Sequence, residues 1–369
     1  LEPADQHPQI QRQRAAAALR NLFVADALAM PVHWYYSVSD IDKAFAGGIS
    51  QLEAAPGFHP SSIMSLHSTR GGGRSSAVRG VSQLEVVGDV ILKGRRQHWG
   101  QANVHYHQGM LAGENTLNAQ CVRVLMRCLV EHDGHYQPAS FLNDYIDFMT
   151  ADSPRHNDTY AESYHRGFFA NLQRGLRPEQ CAAVTHDTPS IGGLVSTAPL
   201  ALSLMLKGVN LQTITECARI HLGLTHPDPM LARICDDYVG LIERLLFRTD
   251  EADIRAIVAG VAKQSVGLDL PGLFAKGRDD REVIGRQFST ACYIDGAWPA
   301  ILYLLYKYYA EPDKALVANT NLGGDNVHRG AVLGVLLGLV HAETTAHWYE
   351  GLVERDAIES EIAQLVELT

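Results

Sequence analysis

The residues best placed to do chemistry sit in four polar clusters that interrupt apolar stretches of the chain. The most informative is Asn321-Leu-Gly-Gly-Asp-Asn-Val-His-Arg-Gly330. Gly323 and Gly324 allow a tight turn and a close approach of backbone to a ligand. Asp325, Asn326 and His328 then stand at the mouth of a predicted helix, where free amide N–H groups and the dipole favour anions. Asp325 and Asn326 offer oxygen ligands for a hard cation such as Mg²⁺, and His328 an imidazole better suited to a transition metal. The segment reads as a site for a metal, a phosphate or a sugar, or as a sharp turn into a closely packed helix.

The second cluster is Asp26-Ala-Leu-Ala-Met-Pro-Val-His33-Trp-Tyr-Tyr36. Asp26 lies in an apolar helix and needs a partner or a metal, because an unpaired buried acid is costly. Pro31 stops that helix and releases His33, Trp34, Tyr35 and Tyr36, which read as core packing or as a ligand platform. The third cluster is His105-Tyr-His107 followed by Glu114, Asn115 and Thr116. In an extended segment His105 and His107 point the same way, as a metal pair would. Glu114, Asn115 and Thr116 fall at a helix start, where capping alone explains them. The fourth places Asp158, Glu162 and His165 at i, i+4 and i+7. This resembles the carboxylate–histidine spacing of metal-binding bundles, yet reads first as a solvated helix face.

Helices must position these groups. From Thr116 the apolar residues Leu117, Cys121, Val124, Leu125, Cys128 and Leu129 form one buried stripe. Similar patterns cover Gln11–Ala29, Leu194–Leu206, Leu231–Leu246, Ala300–Tyr309 and Gly330–Leu339, and period-2 alternation is scarce. An all-α protein is predicted, as one domain over 1–369 with a flexible segment 1–14. Two polar stretches, Ser61–Arg74 and Lys93–Gly113, are predicted as loops of the kind that carry function.

Composition narrows the classes. The 369 residues are 46% hydrophobic and carry a net charge of −10, which leaves no broad basic surface for nucleic acid. Six scattered cysteines without a C-x-x-C pair predict reduced thiols and a cytoplasmic setting. No uninterrupted apolar run of membrane-spanning length occurs, so no transmembrane helix and no membrane partner are expected.

Taken in order, these segments resemble the ADP-ribosylglycohydrolase family, which includes the dinitrogenase-reductase-activating glycohydrolases. Ala25-Asp-Ala-Leu-Ala-Met-Pro-Val-His33 is similar to that family's Gly-Asp-Ala-Leu-Gly-x-Pro-x-Glu, and Gly113-Glu-Asn-Thr116 to its Thr-Asp-Asp-Thr. Ala198-Pro-Leu200 and Thr225-His-Pro-Asp-Pro229 match outright, and Gly323-Gly-Asp-Asn-Val-His328 is similar to Gly-Gly-Asp-x-Asp-Thr. The resemblance implies a multi-helix bundle, a two-magnesium or two-manganese site, and cleavage of ADP-ribose from its acceptor.

Departures redraw that expectation. Of the family's acidic positions Asp26, Glu114 and Asp325 remain, while His33 and His328 replace an acid and a threonine. One Mg²⁺ on Glu114, Asn115 and Asp325 is then expected, and two are not. His33 or Glu114 is expected as the base that activates water, with Asp325 as a third catalytic group. Asp26, Trp34, Tyr35, His105, His107, Asn115, Gly323, Gly324, Asn326 and His328 are expected to contact substrate. Arg70 or Arg74, beside the Gly71–Gly73 triplet, is the candidate cradle for a diphosphate. The reading is a hydrolase of an ADP-ribosyl or related nucleotide-sugar bond. Two alternatives stand beside it. One is a hydrolase using a transition metal on His105, His107 and His328. The other is a non-catalytic member that binds a ligand or serves structurally, as some lens crystallins related to this family do.

Overall fold

The N-terminal helix Gln6–Ala29 and the helix Asn326–His341 form the central pair of the protein. The structure, a computed structural model, describes residues 6–71 and 84–368. Small residues explain the closeness of the pair. A Cβ added at Gly338 would lie 2.5 Å from the backbone of Ala17 and Ala18, and one at Gly334 2.6 Å from the Asn21 carbonyl. Glycine at every fourth position therefore brings two backbones together, which is the helix-packing reading of that run. Helices Leu117–Glu131, Thr197–Leu206, Pro229–Leu246, Ile294–Tyr308 and Arg355–Val366 pack around the pair, and their apolar faces join one buried cluster.

The all-α expectation holds: among the described residues there are no strands, only isolated bridges such as Phe58–Val104 and Ser190–Tyr293. The segment expected to be flexible at 1–14 is instead helical from Gln6. Arg14 anchors it by donating from Nη1 to the carbonyls of Leu246 and Arg248, at 2.9 and 3.0 Å. One stretch, Pro8–Val32, is long and apolar enough to cross a membrane by length and composition, although its sequence is interrupted by polar residues. Its apolar window is 94% buried inside the protein, as befits a core helix.

Pro31 acts as its ring requires. The α-helix stops at Ala29, a 3₁₀ turn covers Met30–Val32, and the chain turns at His33 while still buried.

Candidate active site

Two loops meet where the central helices begin and end. Trp34, at φ +60°, donates its N–H to the Gly324 carbonyl at 2.8 Å, and Gly324 returns its own N–H to the Tyr35 carbonyl at 2.7 Å. The glycines are needed for this contact. A Cβ at Gly323 would lie 2.1 Å from the Tyr35 carbonyl oxygen, and one at Gly324 2.0 Å from that of Thr290. Buried Arg329 locks the turn by donating to the Asn319 side chain and to the carbonyls of Asn319 and Gly323. The glycines thus serve backbone–backbone contact and bring His33 against Asp325.

From there a buried chain of hydrogen bonds runs inward. His33 Nε2 lies 2.8 Å from Asp325 Oδ1, and His33 Nδ1 lies 2.7 Å from His107 Nε2. His107 Nδ1 lies 2.8 Å from Asp158 Oδ1. Asp158 also accepts the N–H groups of Leu117, Thr159 and Tyr160, so it caps a helix distant in sequence. Burial alone would raise its carboxyl, but the His107 imidazole and the Leu117 N–H outweigh burial and hold it at about 2. Burial drives His33 down to about 3 against the pull of Asp325, so His33 is a neutral ring near pH 7.

His328 is the counterpart on the other loop. Its Nδ1 lies 2.8 Å from Asp325 and 3.7 Å from Glu162 Oε1. Burial opposes its charge, yet Asp325 and Glu162 prevail and lift the imidazole to about 10. Glu162 moves upward for the opposite reason: burial and the neighbouring Asp325 disfavour its charge, with His328 working against them. Asn118 ties the two together, its Nδ2 lying 2.7 Å from Glu162 Oε2 and 2.8 Å from His328 Nε2.

Glu162 is also the link to the outside. It lines a cleft of roughly 210 Å³ walled by Trp34, Tyr36, Tyr106, Tyr160, Tyr164 and Tyr293. It lines as well a void of roughly 10 Å³ beside His33, His107, Asp158 and His328. The Trp34 ring stacks on His33 with centroids 3.6 Å apart, which separates the imidazole from the cleft.

The expected residues divide accordingly. The structure gathers His33, His107, Asp325 and His328, with Trp34 on the cleft wall. Glu114 does not join them, because its carboxylate is taken by the Leu111 N–H and the Asn157 amide. Asn115 donates to Asp26, which also accepts the Thr116 N–H and hydroxyl, so Asp26 organises the start of the next helix. His105 has both ring nitrogens engaged by backbone, at Pro31 O and His107 N, and is structural in its bonding. Tyr35 is buried against His59, and the Asn326 side-chain amide donates to the carbonyls of Val32 and Thr320. Arg70 pairs with Glu85; Arg74 and the last two glycines of the triplet lie outside the described residues.

Glu162, Asp158 and Asn118 are the residues that sequence reasoning undervalued. Asp158 and Glu162 share no helical face, since the helix starts at Ser163 and the residues before it are not helical. The signal available was the density of polar residues in 156–165, which a solvated face did not require.

These contacts also test the magnesium expectation. Mg²⁺ takes near-octahedral oxygen ligands and retains water. Here Asp26 accepts from three protein donors, Glu114 is turned away, and Asp325 meets two imidazoles. The expected oxygen set of Glu114, Asn115 and Asp325 does not assemble. The ligand atoms that do converge, within 4.8 Å of one another, belong to His33, Asp325 and His328.

Fold and site together define an all-α protein with a buried carboxylate–imidazole centre opening onto an aromatic cleft. The family model for ADP-ribosylglycohydrolase matches residues 7–369, and the chain belongs to that family. A solved structure described as an ADP-ribosylglycohydrolase-related protein complex is similar in fold, with a TM-score of 0.59 at 17% identity. The match covers 98% of this chain and 99% of that one. No curated protein matches the chain.

The buried histidines set a pH limit on stability. Burial holds His221 at about 4 and His226 at about 3, both far below an unfolded histidine. A base with a depressed folded pKa contributes stability that is complete above its unfolded pKa and is lost as pH falls toward the folded value. Each such residue removes up to about 1.4 kcal/mol per pH unit below about 6.5. Urea midpoints are therefore expected to drop steeply between pH 6.5 and 5; midpoints that stay level over that window would contradict neutral burial.

Proposed function

We propose that this protein hydrolyses a glycosidic bond of an ADP-ribosyl or related nucleotide-sugar substrate. The observation that carries the reading is Glu162, a carboxyl with a raised pKa on the wall shared by the aromatic cleft and the buried His–Asp centre. A carboxyl tuned upward toward working pH is suited to proton transfer. In this scheme the ionised Glu162 takes a proton from water as the water oxygen bonds to the anomeric carbon. The bond to the leaving group breaks, that group leaves with the electron pair and takes a proton from solvent water, and Glu162 returns the proton it accepted to the solvent.

The role assigned to His33 or Glu114 by sequence passes to Glu162 on grounds of access. His33 is screened by Trp34, and Glu114 is occupied elsewhere. His33 and Asp325 take a positioning role, fixing His328 beside Glu162. The rings of Trp34, Tyr36 and Tyr293 supply flat apolar walls for a base or a sugar face. A metal at the His–Asp centre would add Lewis-acid stabilisation of a developing oxyanion or of sugar hydroxyls.

Thermal unfolding with ADP-ribose, with and without divalent cations, tests the substrate class. A ligand at ~100 times its Kd stabilises the native state by about 2.7 kcal/mol. A clear rise with ADP-ribose, followed by release of free ADP-ribose from an ADP-ribosylated acceptor, is the expected result. Binding without any release would place the chain among ligand-binding members, and no shift at all would remove this substrate class.

A further inference from the structure

The donors that fail to suit magnesium suit another ion. We propose that His33 Nε2, His328 Nδ1 and Asp325 together hold one divalent transition-metal ion of the zinc, cobalt or iron(II) class, with Glu162 facing its open side. Two imidazoles and one carboxylate form a mixed nitrogen–oxygen set, which favours such ions over Mg²⁺. All three ligands are at most 2% exposed, and their ligand atoms lie within 4.8 Å of one another. Beside them is the void of roughly 10 Å³ lined by His33, His328 and Glu162, close to the size of one water.

The groups behind His33 suit such a ligand set. The chain Asp325–His33–His107–Asp158 runs in series through contacts of 2.8, 2.7 and 2.8 Å. With a cation on His33 Nε2, His33 Nδ1–H donates to His107 Nε2, and His107 Nδ1–H donates to Asp158. This carboxylate–histidine support behind a ligating imidazole is the arrangement that fixes ring orientation and ligand basicity at metal centres. On the other arm, His328 bound through Nδ1 leaves Nε2–H to donate to Asn118. The Asn118 amide would then turn over to present Oδ1. Its Nδ2 then faces Tyr164 Oη and His165 Nε2, both able to accept. Glu162 loses the amide donor and gains the ion or its bound water.

Metal content is read without substrate, so this inference stands or falls apart from the glycohydrolase reading. The full-length protein would be stripped with chelator and titrated with Co²⁺, Zn²⁺ and Mg²⁺ by calorimetry. Visible absorption would follow Co²⁺. One equivalent of Zn²⁺ or Co²⁺ per chain is expected, with cobalt ligand-field bands and no competition from millimolar Mg²⁺. His33→Gln and His328→Gln should weaken binding at least a hundredfold. His107→Gln, a positioning change, should weaken it about ten- to a hundredfold and shift the cobalt bands. Circular dichroism of each metal-free variant guards against misfolding, and His107→Gln keeps the test decisive if a ligand variant does not fold. Preference for Mg²⁺, no stoichiometric binding, or binding indifferent to His33, His328 and His107 would each overturn the proposal.

Discussion

Glu162→Gln is expected to leave a folded protein whose turnover falls about a thousandfold, within the range that loss of one general acid–base group produces. Glutamine keeps the size of the side chain and, in the metal-free protein, an oxygen able to accept from Asn118 Nδ2, the 2.7 Å contact seen for the native carboxylate. What it cannot do is accept a proton. The loss should therefore fall on kcat, with KM little changed, because the aromatic walls that bind the substrate are untouched. The pH profile separates this from mere disturbance of the site. Burial and Asp325 raise the native Glu162 carboxyl, so activity should fall on the acid side at a pH above the ordinary glutamate range. That acid limb should vanish from the residual activity of Glu162→Gln. Undiminished turnover, or a retained acid limb, would move the base to another residue and reopen the case for His33.

How much of this was legible in the chain depends on the reach of each interaction. Helices were readable from local apolar spacing, as in Leu117–Glu131 and Pro229–Leu246, because one face of each packs inward throughout. The Pro31 stop and the Gly323–Gly324 turn were readable too, since ring and backbone constraints act within a few residues. The site was legible only in part. Asp325, His33 and His328 stood out as polar residues at element boundaries. Nothing local indicated that Asp158 caps Leu117 across 41 positions, or that Asn118 reaches His328 across 210. Those partners decide whether an acid faces solvent or the core. Glu114 illustrates the converse: its place beside the helix start matched a metal acid, but its neighbours Leu111 and Asn157 claim both oxygens. A motif gives a residue's position along the chain, and the direction of its side chain is set by contacts that the motif does not contain.

Gly338→Val is expected to lower global stability by about 3 kcal/mol, the upper part of the range for overpacking. An added side chain is cheaply accommodated where it meets only the movable end of another side chain. At Gly338 it meets main chain, with the Ala17 carbonyl group and Ala18 Cα all 2.5 Å from the added Cβ. Relief requires the helices Gln6–Ala29 and Asn326–His341 to separate, and that opens the tightest seam of a close-packed core. Against a typical total of about 5–15 kcal/mol the loss is large, and urea unfolding followed by circular dichroism reads it directly. Gly240 provides the comparison, being helical with nothing within 4 Å of an added Cβ. Gly240→Ala should raise stability by up to about 1 kcal/mol through helix propensity alone. Equal stability of Gly338→Val and the unaltered protein would mean that the two helices have room to spare. The consequence extends to the site, because the pair leads into the two loops that meet there: the chain leaves the first helix toward His33, and Asp325 and His328 open the second. A milder wedge, Gly334→Ala, places its methyl 2.6 Å from the Asn21 carbonyl oxygen. It should loosen the 2.8 Å contacts of Asp325 with both imidazoles before the fold is lost. Reduced ligand binding in a variant that still unfolds cooperatively would tie the glycine run to the chemistry it positions.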